Sequence, residues 1–578
     1  MTDSESPAIP EEIPVPPAPA PLPGFLARLA RRPFAVLALL GVLLWLPGVL
    51  SLPALDRDES RFAQSSRQMV ESGDPVDIRF GHLPRYKKPV GIYWLQAVST
   101  ALFGRGDDSH IWTYRLPSLA GAIVAARLTV WTAAALLDAE AALIAGLLLL
   151  STVLLTAEAT IATTDAVLLA TVVAVQGVLL RVYRAAMEDG AHKPSGKLIW
   201  LGWAAVGIGA LVKFPIVPGV ALATILALIG WDRHWRWLAQ LKPVRGVLLA
   251  LLIASPWLIA ISIQSHGAFL QQSVGDDFAA KLAGGQESHG ALPGYYLLLA
   301  AGTFFPAILF VAPGIAVGVA RRKEAVVRFL LAWSGAWWIA VEVVPTKLPH
   351  YVLPAYPALA ILAALFVTAA APAVRHMALA LTITRWLAGV QYLGGGALLV
   401  AALVVGPHML GGGDVYWLWG VAAAGACLLL AALVMGLFTE RWGWSVVLSL
   451  LAMLVLAPAL TAGAGPRLDE LWITQQLKPL VEANTLPGDP PPSTAGYQEP
   501  SLVFALGADV NLTDGTGAAQ AGAKSGGLAL VEDAERGAFL ARLAELQGDA
   551  QNVGEVSGLN YSRGRRVHIL LYRIAAVH

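Results

Sequence analysis

The chain has 578 residues, 56% of them hydrophobic and only 14% charged, with a formal net charge of +1 and a mean hydropathy of +0.63. Apolar runs of roughly 17–25 residues, the length that crosses a bilayer as a helix, recur along most of it, which excludes a water-soluble domain. The single cysteine, Cys427, excludes an intrachain disulfide, and the near-zero net charge gives no sign of a nucleic-acid partner.

Residues 1–24 hold eight prolines and the acids Asp3, Glu5, Glu11 and Glu12, and are expected to be a disordered tail. Arg28, Arg31 and Arg32 then precede the first apolar run. Basic residues beside a first span normally stay in the cytoplasm, so the loop that follows is expected outside. Thirteen spans fit the apolar pattern, at about 34–53, 112–137, 141–157, 166–183, 198–212, 215–230, 246–263, 294–319, 329–344, 352–370, 387–406, 416–438 and 444–462. The predicted inner loops carry the basic clusters, such as Arg321, Arg322, Lys323 and Arg328, while the short outer loops carry only Lys213, Lys281 and Lys347. The expected fold is therefore an all-α polytopic membrane protein of about 13 transmembrane helices over residues 25–464. Its first outer loop spans 54–111, and a small C-terminal α/β domain covers 465–578 in the outer compartment. In that domain Leu471–Val481 reads as a helix. Leu502–Leu506, Leu528–Val531 and Val567–Ile574 read as buried strands, and Asp533–Gln547 as a helix capped by Asp533.

The first outer loop breaks the charge bias, with eight basic residues between 54 and 111. An anionic ligand is the simplest reason for them. Asp58 opens an amphipathic pattern, with Phe62, Ala63, Ser66, Met69 and Val70 on one face and Asp58, Arg61, Ser65 and Gln68 on another, suited to a helix in the membrane interface. The plainer reading makes Asp56 or Asp58 an N-cap and Arg61 a snorkelling side chain. Arg85, Tyr86, Lys87 and Lys88 then meet Tyr93 and Trp94. That group is either a basic stripe with an aromatic belt or a clamp for phosphate. Other outer segments add Asp165, which would also serve as an N-cap, then Lys213, Lys281, His289, Lys347, His350 and Tyr351. A lysine truly at mid-membrane depth would cost about 2.5–3.5 kcal/mol. Charges at span ends in several loops of one side suggest one polar cavity at the outer membrane surface.

The motifs Asp58-Glu59-Ser60-Arg61-Phe62-Ala63, Ser72-Gly73-Asp74 and Tyr86-Lys87-Lys88-Pro89-Val90-Gly91-Ile92-Tyr93-Trp94 resemble the first-loop signature of polyprenyl-phosphate-sugar glycosyltransferases of the GT-C class. The resemblance is nearest to the superfamily of bacterial aminoarabinose transferases and protein O-mannosyltransferases. It implies a bacterial-type inner-membrane enzyme that moves a sugar from a polyprenyl-phosphate donor to lipid A or another envelope glycan. The active site and C-terminus would lie on the outer (periplasmic) side, with membrane lipids around it. Asp58, Asp165 and Glu59 are the candidate catalytic carboxylates. Arg61, Arg85, Lys87, Lys88, Lys213, Lys281, His289, Lys347, His350 and Tyr351 are the candidate substrate-binding residues. Arg61, Lys88 and Tyr351 are the ones the resemblance would put on the donor phosphate. No cofactor is implied, and no metal ligand is assigned; a divalent metal is compatible with the class but not indicated. The sequence departs from the aminoarabinose transferases at Lys87, where those enzymes usually carry glutamate, so the sugar stays open. A protein O-mannosyltransferase and, from another class, a lipid flippase or transporter are the alternatives.

Overall fold

The computed structural model describes residues 22–104, 110–273, 275, 290–368 and 378–577. The chain opens with α1 (Gly24–Leu29), α2 (Pro33–Ser51) and α3 (Asp58–Ser72), then a short hairpin of β1 (Arg79–Phe80) and β2 (Leu83–Pro84). It continues through α4 (Gly91–Phe103), α5 (Ile111–Ala133), α6 (Ala139–Leu150), α7 (Val153–Thr160), α8 (Asp165–Met187), α9 (Gly196–Lys213), α10 (Ile216–Asp232) and α11 (Pro243–Gln264). The rest of the membrane part is α12 (Tyr295–Thr303), α13 (Ile308–Ala320), α14 (Ala325–Val343), α15 (Tyr356–Thr368), α16 (Ala378–Met409), α17 (Tyr416–Leu437) and α18 (Trp442–Pro458).

Among the described residues, ten helices are long and apolar enough to span a membrane, and α6 with α7 forms a further span bent by 64°. The two remaining predicted spans fall on shorter apolar helices, α10 and α13, the latter preceded by α12. The bend has a local cause. The Ser151 hydroxyl donates to the Leu148 carbonyl and that of Thr152 to the Leu149 carbonyl, so side chains compete for the helical acceptors. The freed N–H of Val153 bonds the Phe305 carbonyl at 2.9 Å, in the break between α12 and α13. Two interrupted spans thus meet at their interruptions, and each supplies what the other lacks.

The first outer loop has a core of its own. Phe62 and Met69 of α3, Ile78, Tyr86, Val90, and Ile92 and Tyr93 of α4 pack against Trp257 and Ile261 of α11. Gly73, at φ +68°, ends α3, and Asp74 then accepts the N–H groups of Val76 and Asp77 in a tight turn. The helix is where the pattern placed it, but it does not lie on lipid. Ser65, on the expected polar side, is buried, as is its neighbour Gln64. Ser66 Oγ donates to Gln96 of α4 at 2.8 Å, and Arg67 reaches the Phe504 carbonyl of the C-terminal domain. Tyr93 is likewise no belt residue: it is fully buried and its hydroxyl accepts from Arg85.

The C-terminal segment forms α19 (Ile473–Asn484), β3 (Ser493–Ala495), α20 (Pro500–Leu506), β4 (Asn511–Thr513), α21 (Gly515–Ser525), β5 (Gly527–Glu532), α22 (Asp533–Glu545), β6 (Ala550–Asn560) and β7 (Arg565–Ile574). The strand order is β4-β3-β5-β7-β6, with β3 parallel to β4 and β5, and β7 antiparallel to β5 and β6. Apolar side chains of α19 and α20 pack on one face of the sheet, those of α21 and α22 on the other. Leu502–Leu506 is helical rather than a strand. Pro500 sits in the first helical turn, where its missing N–H costs nothing, and Gly507 at φ +107° closes the helix. Asp533 is the first helical residue, and Glu532 takes the cap position.

Gly91 sets how closely the first loop approaches the bundle. A Cβ there would lie 2.7 Å from the Leu211 carbonyl oxygen of α9. Gly91→Ala should therefore cost about 1–3 kcal/mol through overpacking. Gly230→Ala, with no atom within 4 Å of the added carbon, should be neutral or stabilising by up to about 1 kcal/mol. Thermal unfolding of the two purified variants checks both.

Candidate active site

The site grows from the junction of α2, α3 and α5. The last carbonyls of α2 lack helical partners, and Arg115 of α5, fully buried, collects them: it donates to Val49, Leu52 and Pro53 at 3.2, 2.7 and 2.9 Å. The same guanidinium holds Glu59 through two bonds of 2.8 Å. Glu59 also accepts the N–H groups of Ala162 at 2.7 Å and Leu55 at 2.9 Å. Its carboxylate is thus committed four times over, which fits a positioning role better than the catalytic one expected, although it also lines the cavity described next. Its neighbour differs sharply. The side chain of Asp58 is 65% exposed against 1% for Glu59, and it faces the cavity.

That cavity has a volume of about 350 Å³ and gathers residues from five segments. Asp58 Oδ1 lies 3.7 Å from Arg85 and 4.0 Å from Arg61. Arg85 is held in turn by the Tyr93 hydroxyl and stands 4.8 Å from the centre of the Phe62 ring. Across the cavity, Asp165 at the start of α8 accepts from Lys213 at the end of α9, at 2.7 Å, and from the Thr164 hydroxyl at 2.9 Å. Asp165 therefore spends its carboxylate on the lysine and not on capping its own helix. His350 bridges two acids, with Nε2 3.9 Å from Asp165 and Nδ1 3.7 Å from Glu158. Lys213 lies 5.8 Å from the centre of the Tyr351 ring. Lys87 and Lys88 line the same wall.

The protein atoms around the cavity thin the hydration of the Asp58 carboxyl and push it up, but Arg85, then Arg61, Lys88 and His350, outweigh this and hold the group below its ordinary value. Asp58 is thus ionised at neutral pH and free of a covalent or capping duty, fit to accept or orient a proton. A second, apolar pocket of about 280 Å³ opens from the first, lined by Leu168, Phe214, Pro215, Ile216, Trp337, Val341 and Val344. The two share Lys87, Lys88, Asp165, Lys213, His350 and Tyr351. The two pockets thus join a charged volume to an apolar one.

The comparisons with known proteins agree with that shape. Residues 87–259 match the family model described as dolichyl-phosphate-mannose-protein mannosyltransferase. An undecaprenyl phosphate-alpha-4-amino-4-deoxy-L-arabinose arabinosyl transferase of Edwardsiella ictaluri is 26% identical over 434 residues, 74% of this chain and 74% of that protein. Its counterpart in Pectobacterium carotovorum is 28% identical over 439 residues, 70% of this chain and 74% of that protein. The crystal structure of ArnT from Cupriavidus metallidurans bound to undecaprenyl phosphate covers 93% of this chain and 97% of its own, with a TM-score of 0.71 at 19% identity. This chain has the ArnT fold. The resemblance read from the first-loop motif thus extends over most of the chain.

Of the expected site residues, Asp58, Glu59, Arg61, Arg85, Lys87, Lys88, Asp165, Lys213, His350 and Tyr351 come together on one cavity. Lys281 and His289 lie outside the described residues. Lys347 does not join the site. It is buried, and its ammonium donates to the carbonyls of Glu342 at 2.6 Å and Val344 at 2.7 Å, closing the end of α14. The sequence reading missed Glu158 and Arg115. Both are ionisable residues in or beside apolar segments, a signal that by itself marks a residue with a specific partner. No group of three or more His, Cys, Asp or Glu side chains among the described residues is placed to hold a metal.

Two outcomes follow from these assignments. Lys347→Met should lower stability by about 1–3 kcal/mol, since it leaves buried carbonyls unpaired. It should leave binding of added undecaprenyl phosphate unchanged, whereas Lys213→Met, at a residue both pockets share, should weaken it; lipid-binding isotherms beside unfolding curves separate the two. Asp56, held up to about 6 by burial and the nearby Glu499 against the lowering effect of Ser501, gives a pH signature. Between about 4, where a free aspartate ionises, and 6 the unfolded chain has lost a proton that the folded one keeps. Wild-type stability should fall across that window as pH rises, and Asp56→Asn should remove the slope in unfolding curves.

Proposed function

We propose that this protein is an integral-membrane glycosyltransferase that moves a sugar from a polyprenyl-phosphate donor to a lipid A-type glycolipid or another envelope glycan. The carrying observation is the junction of the two pockets. A cluster of cations and carboxylates shares six residues with an apolar cleft among the spans. A water-soluble nucleotide sugar would have no use for the apolar half, and a lipid without phosphate would have no use for the cations. The relatives whose names specify undecaprenyl phosphate and aminoarabinose point the same way.

In this reading the polyprenyl chain occupies the apolar pocket, and its phosphate meets Arg61, Arg85, Lys88 and Lys213. The bond between the sugar's anomeric carbon and the phosphate oxygen breaks, and the electron pair leaves with the phosphate. One cation at 4 Å is worth about 4 kcal/mol to the departing charge at an effective dielectric near 20. The acceptor oxygen forms the new bond from the opposite face, with inversion. A hydroxyl acceptor gives its proton to Asp58; a phosphate acceptor needs no base, and Asp58 orients it. The basic clusters at the predicted inner loops support a reading in which this cavity and the C-terminal domain face the outer side of the cytoplasmic membrane.

Protein mannosylation is the second reading, favoured by the family model over residues 87–259. Mass spectrometry of glycolipids and glycopeptides from a deletion strain and its parent divides the two, since only one fraction should lose a sugar mass. Asp58→Asn and Lys88→Ala should each lower the transfer rate at least about 10²-fold while the protein stays folded. Full activity in both variants removes the proposal.

A further inference from the structure

The loop joining α2 to α3 carries Asp58 at its end, and its backbone has a feature that the membrane bundle does not explain. Arg57, immediately before Asp58, lies at φ +63°. A residue with a Cβ is unfavourable in that left-handed region and persists there only where its surroundings fix it. Those surroundings belong to the C-terminal domain, 505 residues further along the chain. The Tyr561 hydroxyl accepts the backbone N–H of Asp56 at 2.7 Å, and the Arg57 guanidinium donates to the Ser562 carbonyl. Both partners sit in the turn between β6 and β7.

This turn is itself anchored. The Tyr561 ring stands edge-on to Trp472 at 6.4 Å, and the indole N–H of Trp472 donates to the Gly465 carbonyl at 2.8 Å, at the end of the last span. On the far side of Asp58, α20 lies against α3: the Phe504 ring stands edge-on to Tyr114 at 5.7 Å and its carbonyl accepts from Arg67. One domain therefore grips the chain on both sides of Asp58. The grip is not a relaxed one, because Asp56 Oδ1 and Ser562 Oγ are buried there without hydrogen-bond partners.

We infer that the Tyr561–Ser562 turn is a positioning element of the reaction: it fixes the backbone of Asp56 and Arg57 and so aims the Asp58 carboxylate into the cavity. The inference rests on the reading of Asp58 as the carboxylate of sugar transfer. An error of about 1 Å in a reacting group can cost 10²-fold in rate, so a partial loss of the grip is measurable.

The test uses the full chain in lipid nanodiscs and in membranes of a deletion host. Tyr561→Phe removes the acceptor hydroxyl and keeps the ring on Trp472. Arg57→Ala removes the guanidinium, and Arg57→Lys restores a donor. Tyr561→Phe and Arg57→Ala should each raise hydrogen exchange of residues 54–61 about tenfold and lower the rate of glycolipid modification about tenfold. Binding of undecaprenyl phosphate should stay within about twofold of wild type, and Arg57→Lys should recover at least half of the lost rate. Unchanged exchange, or raised exchange with an unchanged rate, overturns the inference. So does a loss of lipid binding in proportion to the loss of rate, which marks a merely structural contact. Should the wild-type protein modify no glycolipid, the transfer reading falls, while exchange and lipid binding still decide whether the turn holds the loop.

Discussion

The buried pair of Arg115 and Glu59 is the constraint on which the site depends. The guanidinium ties together the end of α2, the start of α3 and, through Glu59, the turn that leads into α8. Removing one member of such a pair typically costs 3–5 kcal/mol, because the other is left charged in a dry interior. The pair also explains why Glu59 and Asp58, adjacent in sequence, have opposite fates. Successive residues on a helix point about 100° apart, so once Glu59 is locked inward Asp58 must turn toward the cavity. The carboxylate that faces the substrate volume is placed by the one that cannot.

The second organising feature is the bend between α6 and α7. A straight helix through residues 139–160 would carry Glu158 along the bundle axis. The break at Ser151 and Thr152 redirects α7 so that Glu158 reaches His350, and His350 reaches Asp165. Four spans thus feed one row of alternating groups, Glu158, His350, Asp165 and Lys213. Each separation in the row is between 2.7 and 3.9 Å. Such a row holds its members in place even before substrate arrives, which is the condition for electrostatic stabilisation without reorganisation.

Most of this cavity was legible in the sequence, and the reason is energetic. Ionisable side chains at span ends are costly unless they meet partners, so Asp165, Lys213, His350 and the first-loop cluster stood out against apolar neighbours. What the sequence does not carry is who the partner is. Lys347 and Lys213 look alike as single lysines at span ends, yet one closes a helix with its ammonium and the other holds Asp165. Glu59 and Asp58 are equally indistinct. Leu502–Leu506 failed for another reason: five apolar residues fit a buried strand and a short helix alike, and only Pro500 and Gly507 mark the helix. The two-point grip of the C-terminal domain on the Asp58 loop spans 505 residues and leaves no local trace at all.

The charge balance of the cavity connects these points to chemistry. Four of the five carboxylates that line it face a cation or an imidazole: Asp58 faces Arg85, Glu59 faces Arg115, Asp165 faces Lys213, and Glu158 faces His350. Arg61, Lys87 and Lys88 add further positive charge on the same wall. Ion pairs of this kind are close to neutral in net free energy because desolvation offsets attraction. The cations of this wall already have partners, so the phosphate of the proposed reading would exchange pairings rather than fill an empty one. Lys87 stands where the aminoarabinose transferases usually carry an acid, and it lines both the polar and the apolar pocket. In that reading a phosphate anchored by a hydrocarbon tail would lie among the six residues that the two pockets share.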